Sequence, residues 1–231
     1  MFPNDVASQK STRSKLPPGR HGLSRSFVAQ NQRDRILAAV ADACSEKGYG
    51  EMSVEDIIAA AGVSRRTFYE HFKNKQHAFL AAYDAVVVQL FGRVNGAVEA
   101  AETLPDKIRA GLSAFLGFLA SEPAFARMCI VDVLAAGPEA VARRDGAMRG
   151  FSQLILQNVR EEIGDDAPPA LDVISETVVG GIYEVVYARV LRREFDELPR
   201  LLPDLVYALL LPFLGPRAAL AEYQRLTAAA E

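Results

Sequence analysis

Cysteine and histidine are scarce in this sequence, and tryptophan is absent. Among 231 residues there are two cysteines and three histidines. Cys44 and Cys129 fit neither a zinc-ligand spacing nor a disulfide framework, and both fall in apolar helical patterns, so we interpret them as buried free thiols. His71 and His77 have no set of cysteines or carboxylates beside them that would complete a metal site. The sequence therefore predicts neither a metal nor a cofactor.

Long apolar runs and strand-like alternation are also missing. The N-terminal MFPNDVASQK lacks the apolar core of a secretory signal, and the longest apolar run, residues 205–215, contains Pro212 and is too short to span a bilayer. We therefore expect a cytoplasmic protein with no membrane partner. Apolar residues instead recur at helical spacing along most of the chain, which predicts an all-α fold.

Charge is distributed unevenly along the chain. Residues 1–77 contain twelve Lys/Arg and eight Asp/Glu, whereas the remainder contains fourteen Lys/Arg and twenty-one Asp/Glu. The first part thus carries a formal charge of +4 inside a protein whose net charge is −3. This asymmetry indicates that only the N-terminal part faces a polyanion.

Composition and helical periodicity predict three segments. Residues 1–26 are rich in Ser, Pro, Gly and basic side chains without a hydrophobic period, which is typical of a flexible arm. Residues 27–77 are predicted to form a small helical head, and residues 78–231 a larger helical body. Within the body, helices are expected near 104–121, 123–136, 139–162, 170–194, 198–214 and 217–229.

The head contains the signals of a helix-turn-helix at residues 53–72. Ser53, followed three residues later by Asp56, is typical of a helix start, and Gly62 suits a residue with positive φ where a helix ends. Ser64 can cap a third helix directly after this turn. In that helix Phe68 and Phe72 are spaced i, i+4 and are predicted to face inward. The alternative for its remaining basic side chains is an ordinary solvated helix face.

The segment ILAAVADACSEKGYGEMSVEDIIAAAGVSRRTFYEHFKNKQHAFLAAYD resembles the N-terminal domain of the TetR family of bacterial transcriptional regulators, over roughly residues 30–90. The resemblance implies a homodimer with a three-helix DNA-binding head and a helical body for dimerisation and ligand binding. The expected function is a repressor that releases a near-palindromic operator on double-stranded DNA when a small ligand binds. A ligand-independent activator or constitutive repressor is the alternative. No nucleophile–base set, paired carboxylates or phosphate loop supports a helical enzyme.

The resemblance also implies roles for individual residues. Major-groove contacts would come from the leading edge of the third helix, namely Arg65, Arg66, Thr67 and Tyr69. His71 and Lys75 would contact phosphate, and Ser53 would anchor the preceding helix against the DNA backbone. Glu55 departs from this pattern, because a carboxylate directed at DNA would repel phosphate.

Two further regions leave alternatives open. Residues 10–25 contain five Lys/Arg and no acid, so the arm is either a solubilising tail or brings Arg20 or Arg25 into a minor groove. Gly180 and Gly181 interrupt a helical pattern, which suggests close approach of a helix either from a second subunit or from the same chain. We expect the dimer surface within residues 170–214. An aromatic and methionine stripe in the body fits either a core or a ligand cavity: Phe115, Phe118, Phe125, Met128 and Tyr183.

Overall fold

The computed structural model describes residues 24–164 and 167–228. Within these ranges the chain forms α-helices, short 3-10 helices and no β-strand, which confirms the predicted all-α class. The α-helices are α1 (Arg25–Glu51), α2 (Val54–Ala61), α3 (Arg65–His71), α4 (Lys75–Glu99), α5 (Leu104–Ser121), α6 (Pro123–Ile130), α7 (Pro138–Ile163), α8 (Leu171–Leu191) and α9 (Leu202–Ala228). The 3-10 helices are Asp132–Ala135 and Phe195–Leu201.

The chain divides into two compact units, Met1–Ala85 and Val86–Glu231. For the structure, the head is residues 24–85 and the body is residues 86–164 and 167–228, whereas the sequence places the boundary between residues 77 and 78. The division falls within α4, between Ala85 and Val86.

The head is built from α1 to α3 and the start of α4. Helix α1 begins at Arg25, where the hydroxyl of Ser24 accepts a hydrogen bond from the Phe27 amide at 3.1 Å. Gly48, at φ 77° and ψ 159°, is non-helical and ends the regular part of α1. The predicted inward positions Phe68 and Phe72 are 0% and 1% exposed. The head therefore has its own apolar core.

The body is held together by the inward faces of α4 to α9. Helix α9 packs on α5 with a buried stripe formed by Leu205, Val206, Leu209, Leu210 and Phe213. The stretch Phe195–Ala228 is long and apolar enough, by length and composition, to cross a membrane. However, Gly215 has a φ of 77°, and Pro212 and Pro216 flank it. This backbone break and the buried stripe are typical of a helix that packs in a protein core.

Candidate nucleic-acid interface

The first helix of the motif, α2, begins with a complete capping box. The Ser53 hydroxyl accepts a hydrogen bond from the Asp56 amide at 3.2 Å, and the Ser53 amide donates to Asp56 Oδ2 at 3.0 Å. Asp56 also accepts a hydrogen bond from Lys47 Nζ at 2.7 Å. The Lys47 contact, followed by those from Ser53, lowers the pKa of Asp56 from 3.8 to about 2. Ser53 is thus placed at the start of α2, as the sequence predicted.

The turn between α2 and α3 depends on Gly62 and on an arginine from α1. Gly62 is in the left-handed region, with φ 58° and ψ 39°. A guanidinium nitrogen of Arg35 donates to the carbonyl oxygens of Ala61 and Gly62, the latter at 2.9 Å. A Cβ at position 62 would lie 3.0 Å from that nitrogen. Arg35 therefore satisfies carbonyls at the end of α2, a role that no local sequence signal indicates.

Helix α3 follows at once and separates an apolar face from a polar one. The Ser64 hydroxyl accepts a hydrogen bond from the Thr67 amide at 3.0 Å and lies 2.9 Å from Thr67 Oγ1. Phe68 is fully buried. Four side chains on the other faces are exposed to solvent: Arg65, Arg66, Tyr69 and Glu70. A short helix with this exposed edge has the form of a helix-turn-helix recognition helix.

Both exposed arginines are paired with glutamates. Arg65 Nη1 lies 2.8 Å from Glu55 Oε1 on α2, and the Arg65 guanidinium carbon lies 5.9 Å from the centre of the Tyr69 ring. Arg66 Nε donates to Glu70 Oε1 at 2.9 Å within α3. The Arg66 side chain nevertheless remains 89% exposed. Glu55, the departure from the family pattern, is thus directed at a predicted base-reading arginine.

Lys75 is the first residue of α4 and contacts the backbone between α1 and α2. Its ammonium group donates to the carbonyl oxygens of Met52 at 2.8 Å, Tyr49 at 2.9 Å and Gly50 at 3.4 Å. It also lies 4.5 Å from the centre of the Tyr49 ring. Because an ammonium group has three N–H donors, these carbonyls use its hydrogen-bonding capacity. Lys75 therefore holds the connection between α1 and α2 in the free protein, and its contact with phosphate stays a prediction.

The remaining predicted residues are placed less distinctively. His71 Nε2 lies 3.5 Å from Gln32 Oε1, and Arg25 is exposed in the first turn of α1 and not in an extended arm. Arg20 lies outside the described residues. Arg33, which no sequence motif marks, has its guanidinium 4.9 Å from the centre of the Phe72 ring. No group of His, Cys, Asp or Glu side chains in residues 24–164 and 167–228 could hold a metal ion.

Comparison with known proteins agrees with this geometry. Residues 36–82 match the family model described as bacterial regulatory proteins of the tetR family. Two similar proteins of Mycolicibacterium smegmatis are the HTH-type transcriptional regulator EthR, 29% identical over 71% of this chain and 76% of that protein, and the HTH-type transcriptional activator FasR, 22% identical over 71% and 75%. The solved structure of the transcriptional regulator FadR from Bacillus subtilis, in complex with stearoyl-CoA, superposes with a TM-score of 0.69 at 19% identity, over 77% of this chain and 97% of that one.

Proposed function

We propose that this chain, whose head belongs to the TetR family of bacterial regulatory proteins, is a transcriptional regulator that binds its operator through α3 and releases it when a small ligand binds. One observation carries the proposal. Arg65, Arg66 and Tyr69 are exposed together on a short helix whose opposite face is fixed in the core by Phe68. A rigid apolar base under an exposed basic edge suits insertion into a major groove.

The two arginines are the base-reading candidates. A guanidinium can donate two parallel hydrogen bonds to guanine O6 and N7, and such a contact discriminates against the wrong base by about 1–3 kcal/mol. The Tyr69 hydroxyl and the His71 ring can donate to phosphate oxygens, which fixes the register of the head but carries no sequence information. Arg33 at the edge of the head is a further phosphate candidate, because it has no carboxylate partner among the described residues.

A homodimer is proposed because one such head reads only a short half-site. Two heads about 34 Å apart, or a multiple of this, would read a near-palindrome. Helix α8 offers a surface for the second subunit, since Val173 is 62% exposed and a Cβ at Gly180 or Gly181 would meet nothing within 4 Å among the described residues. Packing within the described part of this chain therefore does not explain the two glycines, and we propose that they face a helix of the second subunit.

The effector is proposed to bind in the body. The similar structure of FadR from Bacillus subtilis is a complex with stearoyl-CoA, so we take a long-chain acyl-CoA as the first compound to test on this chain. Release requires that the effector prefers a conformation with low DNA affinity. To shift the DNA-binding conformation from about 99% to about 1% of the protein, the effector must bind the other conformation about 10⁴-fold more tightly. We place this regulator in the cytoplasm, where both DNA and acyl-CoA are found.

Selection of binding sites from random and genomic DNA tests the proposal. The parent protein should enrich a near-palindrome, and Arg65→Ala and Arg66→Ala should each weaken binding to it by about 1–3 kcal/mol. Each variant should also relax base preference at a position in both half-sites. Recovery of no shared sequence by the parent protein would refute operator binding.

Effector response is measured separately on the selected duplex. Stearoyl-CoA should lower DNA affinity and raise the melting temperature of the free protein. A promoter fused to a reporter distinguishes repression from activation, the role in the name of the relative FasR. If neither acyl-CoA nor other metabolites change DNA affinity, the ligand-independent regulator is the correct description.

A further inference from the structure

We infer that Glu55 is a specificity-determining residue of the DNA interface: from α2 it orients Arg65 on α3 for base readout, and its charge opposes unspecific phosphate contacts. The inference rests on the proposed DNA-binding function. A glutamate is normally excluded from a DNA-facing surface because its charge repels phosphate, and the proposed role explains its presence at position 55.

The geometry joins two helices through one ion pair. Glu55 Oε1 lies 2.8 Å from Arg65 Nη1, and both residues occupy first turns, of α2 and α3 respectively. The backbone around Glu55 is held by the capping box between Ser53 and Asp56. The carboxylate therefore extends from a fixed helix start. On its other side the Arg65 guanidinium approaches the Tyr69 ring, so the ion pair and the ring together restrict its orientation.

The ion pair leaves part of the guanidinium available. It engages Nη1, and among the described residues nothing pairs with the edge formed by Nε and Nη2. A guanidinium has five N–H donors in a planar fork, so one edge can meet a carboxylate while another meets a base. An arginine that is already oriented loses less conformational freedom when it forms a bidentate contact with guanine.

Exposure indicates that the pair does not serve mainly to stabilise the fold. The two side chains are 67% and 61% exposed, and ion pairs in such positions contribute little to stability. A negative charge beside DNA acts instead on the bound states. Unspecific complexes depend almost entirely on phosphate contacts, whereas an operator complex also has base contacts. Glu55 should therefore weaken unspecific binding more than operator binding.

The neighbouring pair of Arg66 and Glu70 provides a matched control. It has the same chemistry, a similar distance of 2.9 Å and similar exposure of its glutamate, 55%. It differs in connecting residues i and i+4 of a single helix, so it cannot tie α2 to α3. Removing either glutamate changes the net charge equally, but only removal of Glu55 releases Arg65 from the other helix.

The experiment measures binding of the full-length parent, Glu55→Ala, Glu55→Gln and Glu70→Ala, each with and without Arg65→Ala. The duplexes are the selected operator, its single-base-pair variants and an unrelated sequence of equal length. Glu55→Ala should raise affinity for the unrelated duplex about threefold at low salt, the effect of one carboxylate about 7 Å from one phosphate in water. It should lower discrimination at a single base pair by about tenfold, within the range for one bidentate contact.

The variants separate orientation from charge. Glu55→Gln should raise affinity for the unrelated duplex as Glu55→Ala does but retain part of the base discrimination, because the amide oxygen can still accept from Arg65. The loss of discrimination by Glu55→Ala should disappear when Arg65 is already alanine. Glu70→Ala should leave discrimination at that base pair unchanged. Thermal unfolding of all these variants should match the parent.

Two results would overturn the inference while leaving the proposed function intact. One is a parent protein that selects an operator but shows no change in discrimination with Glu55→Ala. The other is an effect of Glu55→Ala that persists in the Arg65→Ala background or is equalled by Glu70→Ala. A parent protein that prefers no sequence at all would overturn the proposed function itself, and the inference with it.

Discussion

Replacing Lys75 by methionine tests whether the head is held together by a lysine at the start of α4. Methionine keeps an apolar stem of similar length but removes the ammonium group from the carbonyls of Tyr49, Gly50 and Met52. A hydrogen bond from a charged donor contributes about 1.5–3 kcal/mol where water is excluded. Gly50 is exposed and Tyr49 and Lys75 are only half-buried, so in the variant water can hydrogen-bond the freed carbonyls and offset part of the lost energy. We expect a total loss of about 1–3 kcal/mol in local stability.

Amide hydrogen exchange in the full-length protein measures this loss where it occurs. The Met52 amide, which donates to the Gly48 carbonyl at 3.1 Å, lies in the connection that Lys75 holds. Its protection should fall by about tenfold to a hundredfold in Lys75→Met, which corresponds to the expected free energy. Lys73→Met removes the same charge from an exposed side chain two residues earlier and should leave Met52 protection unchanged.

DNA binding by the same variants distinguishes this role from a phosphate contact. A lysine that neutralises one phosphate contributes about 0.9 to the slope of log K against log salt. Lys75→Met should therefore leave the slope unchanged, and any loss of affinity should appear equally at all salt concentrations. A slope reduced by about 0.9 together with unchanged protection of Met52 would refute the structural role and support the phosphate contact.

Three further predictions concern other parts of the chain. Ser53→Ala should destabilise the head by about 1 kcal/mol in denaturant unfolding. Since the pKa of Asp56 is lowered from 3.8 to about 2, the stability that this carboxylate contributes should be complete above about pH 4 and should decline as the pH falls through about 2. The Asp56→Asn variant should lack this acid dependence. Gly150→Ala places a Cβ 2.7 Å from Phe91, whose ring stacks on Phe151 at 4.1 Å, and should lower the free energy of unfolding by about 1–3 kcal/mol. Gly146→Ala is the control and should be neutral or stabilising, because its Cβ would meet only Arg149, at 3.9 Å. Gly181→Arg should yield monomers in sedimentation and weaken operator binding, whereas Gly117→Arg, equally open in this chain, should remain dimeric; a dimeric Gly181→Arg would place the interface elsewhere.

The helices of this protein could largely be predicted from local sequence signals. The breaks at Gly48 and Gly62, the caps at Ser53 and Ser64 and the inward direction of Phe68 are all set by residues within one or two helical turns. Such signals act locally, so they survive without knowledge of the tertiary structure. The predicted head begins at residue 27, two residues after the start of α1, because the Ser24 cap lies in a segment whose composition indicates a flexible arm.

Partners of long side chains could not be predicted in the same way. Arg35 meets the end of α2 and Lys75 meets the end of α1 across 26 and 23 residues of sequence, respectively. A flexible lysine or arginine can reach many alternatives, and only the packed arrangement of the helices decides between them. The pairing of Glu55 with Arg65 was missed for the same reason, although the anomaly of Glu55 was visible in the sequence.

The formal charge of +4 in residues 1–77 therefore overstates the charge that the head offers to DNA, because residues 24–85 contain eight Lys/Arg and eight Asp/Glu. Lys47, Arg35 and Lys75 are committed to a carboxylate or to backbone carbonyls within the head. Arg65 and Arg66 are exposed, but each forms an ion pair with a glutamate. Affinity for DNA as a polyanion should accordingly be modest, and a larger share of operator affinity should come from base contacts. In a regulator that must ignore most of a genome, the ratio of operator to unspecific affinity matters more than either affinity alone. A head with few uncompensated cations favours that ratio, which is why an overall acidic protein can serve as a selective DNA-binding regulator.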